Sequence, residues 1–187
     1  MLVVDSPYEV ANWRPLVHWI MYIPHNIING VLQYAAFAVG LVYWVAFLVT
    51  GRLHKGMYGF LAMQQRYSTR ANGFLVGYTE TYAPFDFNMG ATDNGVYPPV
   101  KVNLPEPPGS TPRTAALNFL LAIPHYIVIA IYAIAAIVVL IIGWFAVLFT
   151  GAWPAGMRDF LVKLGNYYLR VWAYVVMVET KYPKFGI

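Results

Sequence analysis

Residues 22–26 read YIPHN and residues 122–126 read AIPHY, so one Ile-Pro-His recurs at an offset of one hundred. Each copy opens a long apolar run: residues 16–49 and 115–149 contain no Asp, Glu, Lys or Arg. Proline removes a backbone donor and biases the residue before it away from helix, so each Pro marks a bend within an otherwise helical stretch. The spacing predicts a tilted or interfacial leading helix over 13–23. It bends at Pro24 into a helix over 25–49, with a copy at 125–149 bent at Pro124. A helix needs about 20 residues to cross a hydrocarbon core of about 30 Å, and each of these is long enough. Thr-Gly at 50–51 and 150–151 ends both, with Gly51 and Gly151 suited to the left-handed position after a helix.

The offset holds well beyond the tripeptide. Ungapped alignment of 16–85 with 116–185 gives 21 identities in 70, including Trp44, Thr50, Gly51, Gly56, Met57, Tyr67, Arg70, Tyr82 and Phe85. Apolar composition alone does not keep polar and turn-forming residues in register, so the chain reads as two copies of one unit of about seventy residues. The expected organisation is an N-terminal segment 1–12, a first repeat 13–85, a linker 86–113 and a second repeat 114–187. With six prolines among its 28 residues, the linker is expected to be solvated and extended.

Hydrophobic residues make up 59% of the chain and charged ones 11%, and the mean hydropathy is +0.54, far from the averages of soluble domains. An all-α integral membrane protein is the fold class this implies. Fifteen Tyr and six Trp fit interfacial belts. A net charge of +4, dispersed along the chain, does not form a nucleic-acid footprint, and zero cysteines exclude disulfides and thiolate chemistry. The first fifteen residues have no basic region ahead of the apolar stretch and do not resemble a cleavable signal.

After each Thr-Gly comes a second amphipathic membrane helix, on which Asp159, Lys163, Asn166 and Arg170 form one polar stripe in the second copy. Two placements compete, a half-polar transmembrane helix making a hairpin or an amphipathic helix lying on the surface, and the apolar stretch 171–178 favours the hairpin. It puts both termini and the linker on one side of the membrane and both Thr-Gly turns on the other.

The candidate site residues are few. His25 and His125 are related by the repeat and would form a bis-imidazole haem or metal site if they faced each other; otherwise each satisfies groups freed by its proline. Arg70 and Arg170 would be costly on a membrane helix unless paired or snorkelling, which points to a buried ion pair with Glu80, Glu179 or Asp159, to a lipid headgroup, or to side chains that snorkel to the interface. No catalytic constellation, metal motif or cofactor site is recognised.

The pattern IPH, W.A.L.TG, GM..FL, R and a closing YxxF resembles a bacterial, largely actinobacterial, membrane family catalogued as domain of unknown function 4389, which often occurs in tandem. The second copy, FTGAWPAGMRDFLVKLGNYYLRVWAYV, is similar to the family pattern throughout. The first departs from it at His54, where the second has Pro154, and at Gln64 to Ser68. The resemblance implies residence in a bacterial plasma membrane, multi-pass, and no particular activity. The functional expectation is a non-catalytic scaffold or accessory subunit of a larger membrane complex, or one that self-associates. The alternative is a lipid-binding or transport protein using the cleft between the repeats, and a third reading is a haem-bearing electron carrier.

Overall fold

A computed structural model describes all 187 residues. The order of elements is β1 (Leu2–Val4), α1 (Arg14–Met21), α2 (Ile23–Thr50), α3 (Lys55–Val76), β2 (Val100–Val102), a 3-10 turn (Arg113–Leu117), α4 (Asn118–Leu121), α5 (Ile123–Thr150) and α6 (Ala155–Val175). The fold is mostly helical and built from two repeats.

The Ile-Pro-His bend is local and sharp. Only Tyr22 separates α1 from α2, and Pro24 sits in the first turn of α2, where its missing N–H has no helical partner to lose. Each Thr-Gly is a complete stop signal. Gly51 and Gly151 have φ of 68° and 71°, and the Thr50 and Thr150 hydroxyls donate back to Ala46 O and Ala146 O at 2.7 Å in both copies. Each hydroxyl also accepts the N–H two residues on, from Arg52 or Ala152. In the first copy His54 serves as the cap that opens α3, its Nδ1 accepting from Met57 N.

The repeats are inverted, not parallel. Helices α3 and α6 run antiparallel: Trp153, just before α6, lies against Gly77, just after α3, while Tyr58 at the start of α3 packs near Trp172 at the end of α6. Helix α2 returns along α3 and α5 along α6, so α2 and α5 are antiparallel too. The four form a row in the order α2, α3, α6, α5. The pseudo-twofold axis passes between β1 and β2, whose antiparallel register pairs Leu2 with Val102, its own repeat equivalent.

Each unit is the expected helical hairpin, but this arrangement overturns the expectation that both Thr-Gly turns lie on one side. The N-terminal segment packs on the second Thr-Gly turn, with Val10 N donating to Gly151 O at 2.8 Å, and the Arg113 side chain lies on Gly51. The two Thr-Gly turns therefore sit at opposite ends of the row.

The leading segments bridge the repeats, each packing on its own unit and reaching a long helix of the other. Trp144 on α5 donates to Pro15 O in α1, and Trp44 on α2 donates to Ala116 O in the 3-10 turn, both at 2.9 Å. Asn166 on α6 holds both backbone groups of Leu2 at 2.9 Å. Each repeat thus completes the other's packing. The second leading helix is shorter than expected, since 113–117 form a 3-10 turn and only Asn118–Leu121 are α-helical.

The linker is neither extended nor fully solvated. It crosses one face of the row, burying Ala91, Tyr97, Val100, Val102 and Leu104. Both flanks are apolar. Helices α2 and α5 bury only a narrow stripe and leave Ile27, Val31, Phe37, Leu41 and Val45, and Ile127, Ile131, Ile137, Ile141 and Phe145, exposed along their lengths. The stretches Ile23–Thr50 and Arg113–Thr150 are the two that are long and apolar enough to cross a membrane; α3 and α6, expected as further membrane helices, are not.

Bridging of the repeats by the leading segments predicts that a chain cut at the exposed Gly109–Ser110 bond stays assembled. With a protease site there, fragments 1–109 and 110–187 are expected to co-elute from size exclusion in mild detergent; separate elution contradicts the bridging.

Candidate functional site

Two constellations collect the residues singled out by the repeat. The first encloses each histidine within its own unit. His25 is fully buried, its Nδ1 2.8 Å from the Tyr67 hydroxyl and its ring stacked on Phe85 at 4.6 Å and tilted against Tyr82 at 4.8 Å. His125 repeats this with Tyr167 at 2.7 Å, Phe185 at 4.2 Å and Tyr182 at 4.8 Å. The Tyr82 and Tyr182 hydroxyls reach across to Met21 O and Leu121 O, carbonyls at the bend. A tyrosine hydroxyl donates or accepts, so it suits either imidazole tautomer at Nδ1. The cage pins the middle of each second helix and the closing YxxF to the start of the long helix. The rings of His25 and His125 do not face each other, and the bis-imidazole arrangement is not formed.

The second constellation is built on α3. Arg66 and Arg70 are each 1% exposed. Arg70 donates to Asp86 Oδ2 at 2.7 Å, to Asp93 Oδ2 at 3.0 Å and to Asn94 Oδ1 at 3.1 Å. Arg66, one turn earlier, takes the carbonyls of Asn88, Gly90 and Thr92. The linker is therefore wound around two guanidinium groups. Burial pushes the Asp86 and Asp93 carboxyls up, but bonds from backbone N–H groups, and from Asn94 to Asp86, together with the Arg70 charge, outweigh it and hold both below the usual carboxylate range.

The partners expected for Arg70 lie elsewhere. Glu80 accepts from Ala11 N at 2.6 Å and pairs with Arg14 at 3.6 Å. Asp159 accepts from the Tyr8 hydroxyl at 2.9 Å, and Glu179 accepts from Lys181 N. Arg170, the repeat equivalent of Arg70, donates to Gly186 O at 2.8 Å and lies over Tyr167. Gly186 occupies the position of Asp86, so the second copy has the arginine without that carboxylate.

Arg66, Asp86, Asp93 and the aromatic cage were not assigned as site residues from the sequence. For the cage a signal existed: Tyr67, Tyr82 and Phe85 are all among the 21 identities that include His25. For Arg66 there was none, because its counterpart is Asn166. A further buried group, His18, stacks on Phe74 at 4.4 Å. Burial, together with the Arg14 charge, lowers it from 6.5 to about 4.

One family model, described as Domain of unknown function (DUF4389), matches twice, over residues 12–88 and 112–186. Neither a curated protein nor a solved structure matches the chain.

Two measurements follow from these contacts. Arg70→Met strands two buried carboxylates and is expected to cost about 3–5 kcal/mol in chemical unfolding. Arg170→Met loses one bond to a backbone carbonyl and is expected to cost about 1 kcal/mol; equal losses would refute the assignment of the ion pair to the first copy alone. His18 binds its proton less tightly folded than unfolded, so stability is expected to fall as pH drops from about 6.5 to about 4 and then to level off for this group. His18→Asn, which installs the residue of the second copy, should flatten that limb of the unfolding-temperature profile, and an unchanged slope would contradict it.

Proposed function

The chain belongs to the DUF4389 family as a tandem of two domains, and we propose that it is a non-catalytic scaffold or accessory subunit held in the bacterial plasma membrane by α2 and α5. The observation that carries this reading is the pair of apolar faces left uncovered along two helices of 28 residues each. Such faces far exceed what a water-soluble monomer tolerates.

The same geometry favours attachment within one leaflet over a crossing. If α2 and α5 spanned the bilayer, the pseudo-twofold axis would lie at its midplane. The two-stranded ribbon and the linker loops would then meet lipid at the bilayer centre. Asp5 and Lys101, an ion pair at 3.0 Å with side chains 69% and 40% exposed, belong to that ribbon. Open sheet edges and irregular backbone do not face lipid, and each charge at the centre costs about 2.5–3.5 kcal/mol on insertion scales. Laying the row flat avoids both costs. The apolar side enters the leaflet and the ribbon and linker stay in water, where they offer a rigid polar surface to a larger membrane complex or a second copy.

Because the chain has no cysteine, single cysteines report sidedness directly. Glu9→Cys lies beside Gly151 at one end, Ser110→Cys near Gly51 at the other, and Asn103→Cys on the ribbon. A membrane-impermeant maleimide applied to intact and opened cells is expected to reach all three from one side only. Labelling of Glu9→Cys and Ser110→Cys from opposite sides, with Asn103→Cys protected, would establish a crossing instead. For the scaffold role, extraction of native membranes in a lipid-preserving polymer should give a stoichiometric assembly larger than the 21.1 kDa chain; a lone chain refutes it.

A further inference from the structure

On the side of the row opposite the ribbon, α3 and α6 form the floor of a groove of about 350 Å³, walled by α2 and α5 and reaching down to Leu2. It lies on the pseudo-twofold axis, so its two walls come from repeat-equivalent positions. The walls nevertheless differ in chemistry at every such pair. Gln33, Ser68 and Thr69 of the first copy face Ala133, Tyr168 and Leu169 of the second. The fourth pair is Gln65 and Gly165. Gln65 is 6% exposed, and its Nε2 reaches only Thr69 Oγ1, at a long 3.4 Å. Elsewhere the copies keep their structural residues, such as the histidine cages, the Thr-Gly stops and the two indole bonds.

We infer that this groove binds a single-chain, uncharged amphiphile drawn from the leaflet, of the monoacylglycerol type, its hydroxyl-rich head on the Gln33, Gln65 and Thr69 wall and its hydrocarbon chain along Leu161, Leu164 and Leu169. The site adds to the membrane attachment proposed above and takes its lipid source from that reading. Three observations fit this class. No Asp, Glu, Lys, Arg or His lines the groove, so nothing there neutralises a phosphate or carboxylate, whose desolvation would go uncompensated. Carboxamides and hydroxyls supply donors and acceptors suited to hydroxyls and esters. The volume stands at the small end of ligand sites, roughly 300–1,000 Å³, which suits one chain better than two. Within the polar wall Gln33 Oε1 already accepts from Gln64 Nε2 at 3.1 Å and the Thr69 hydroxyl donates to Gln65 O at 2.8 Å, which leaves the Gln33 amide N–H groups and the Gln65 carboxamide oxygen to meet a ligand's hydroxyls and ester.

The second copy also supplies the safest test, since its residues already occupy the same backbone positions. The variant carrying Ser68→Tyr and Thr69→Leu makes the polar wall resemble its counterpart. The probe is a diazirine-bearing monooleoylglycerol, with a lysophosphatidylglycerol bearing the same photoreactive chain as comparison. Both are tested on full-length protein in detergent micelles and in phosphatidylglycerol vesicles, and the labelled peptides are read by mass spectrometry. The expected result is that monooleoylglycerol labels α3 and α6 peptides, that the double variant lowers this about tenfold while its unfolding temperature holds, and that the charged probe labels the groove at least tenfold less. Equal labelling by both probes overturns the inference, as does labelling unchanged in the variant or spread over the outer faces of α2 and α5. A dimer that is abolished by Ser68→Tyr and leaves the groove unlabelled assigns the groove to a second copy and overturns it too. The micelle arm does not depend on vesicle attachment. Loss of vesicle binding with retained groove labelling refutes the membrane reading alone, and the reverse refutes the groove alone.

Discussion

A guanidinium group buried beside a helix must be surrounded by oxygen, and Arg66 and Arg70 on α3 impose that demand twice within one turn. The chain meets it by winding the linker over α3: three carbonyls on Arg66, and two carboxylates and a carboxamide on Arg70. Once this path is set, β2 is carried to the centre of the row, where β1 of the N-terminal segment pairs with it. The linker so held lays a polar cover over one face and brings β2 to the strand that the second repeat grips through Asn166.

The second copy meets the corresponding need differently. Where α3 holds the linker through Arg66, α6 holds the N-terminal strand through Asn166, and Arg158 donates to the carbonyls of Ser6 and Pro7. The linker and the N-terminal segment are thus equivalent covers on equivalent helices, gripped by different side chains. What does not vary is the cage of His25 or His125, in which a tyrosine hydroxyl, a stacked phenylalanine and a second tyrosine lock the bend to the end of the unit. This contact is internal to each repeat, so drift at the interface between repeats leaves it untouched.

The two-sided character of the molecule follows from the same plan. A row of four helices with a polar ribbon on one side has one face free, and on that face and the flanks α2 and α5 expose branched and aromatic side chains from end to end. Solvent-exposed polar backbone at half-height is incompatible with hydrocarbon on that side. On the proposed single-leaflet attachment the apolar length of the long helices serves the interface they would lie in, and length alone does not make them crossings.

Much was legible from the sequence by itself: the tandem repeat, the bends at Pro24 and Pro124, the stops at Gly51 and Gly151, and two long apolar helices. These rest on local backbone chemistry and on identities at a fixed offset, which need no partner in space. The relative direction of the two repeats was decided only by the tertiary structure, because a repeat of identical units is equally compatible with parallel and inverted packing. The partners of Arg70 were likewise invisible: Asp86 and Asp93 lie in a stretch whose prolines suggest an open linker, and only burial of the guanidinium gives that stretch a reason to fold. His25 and His125 stand between the two cases. Their place at the bend could be read directly, whereas the tyrosines and phenylalanine that enclose them come from sequence positions about 42 and 60 residues away. Those positions had already been marked by the repeat, but only packing showed that they formed one site.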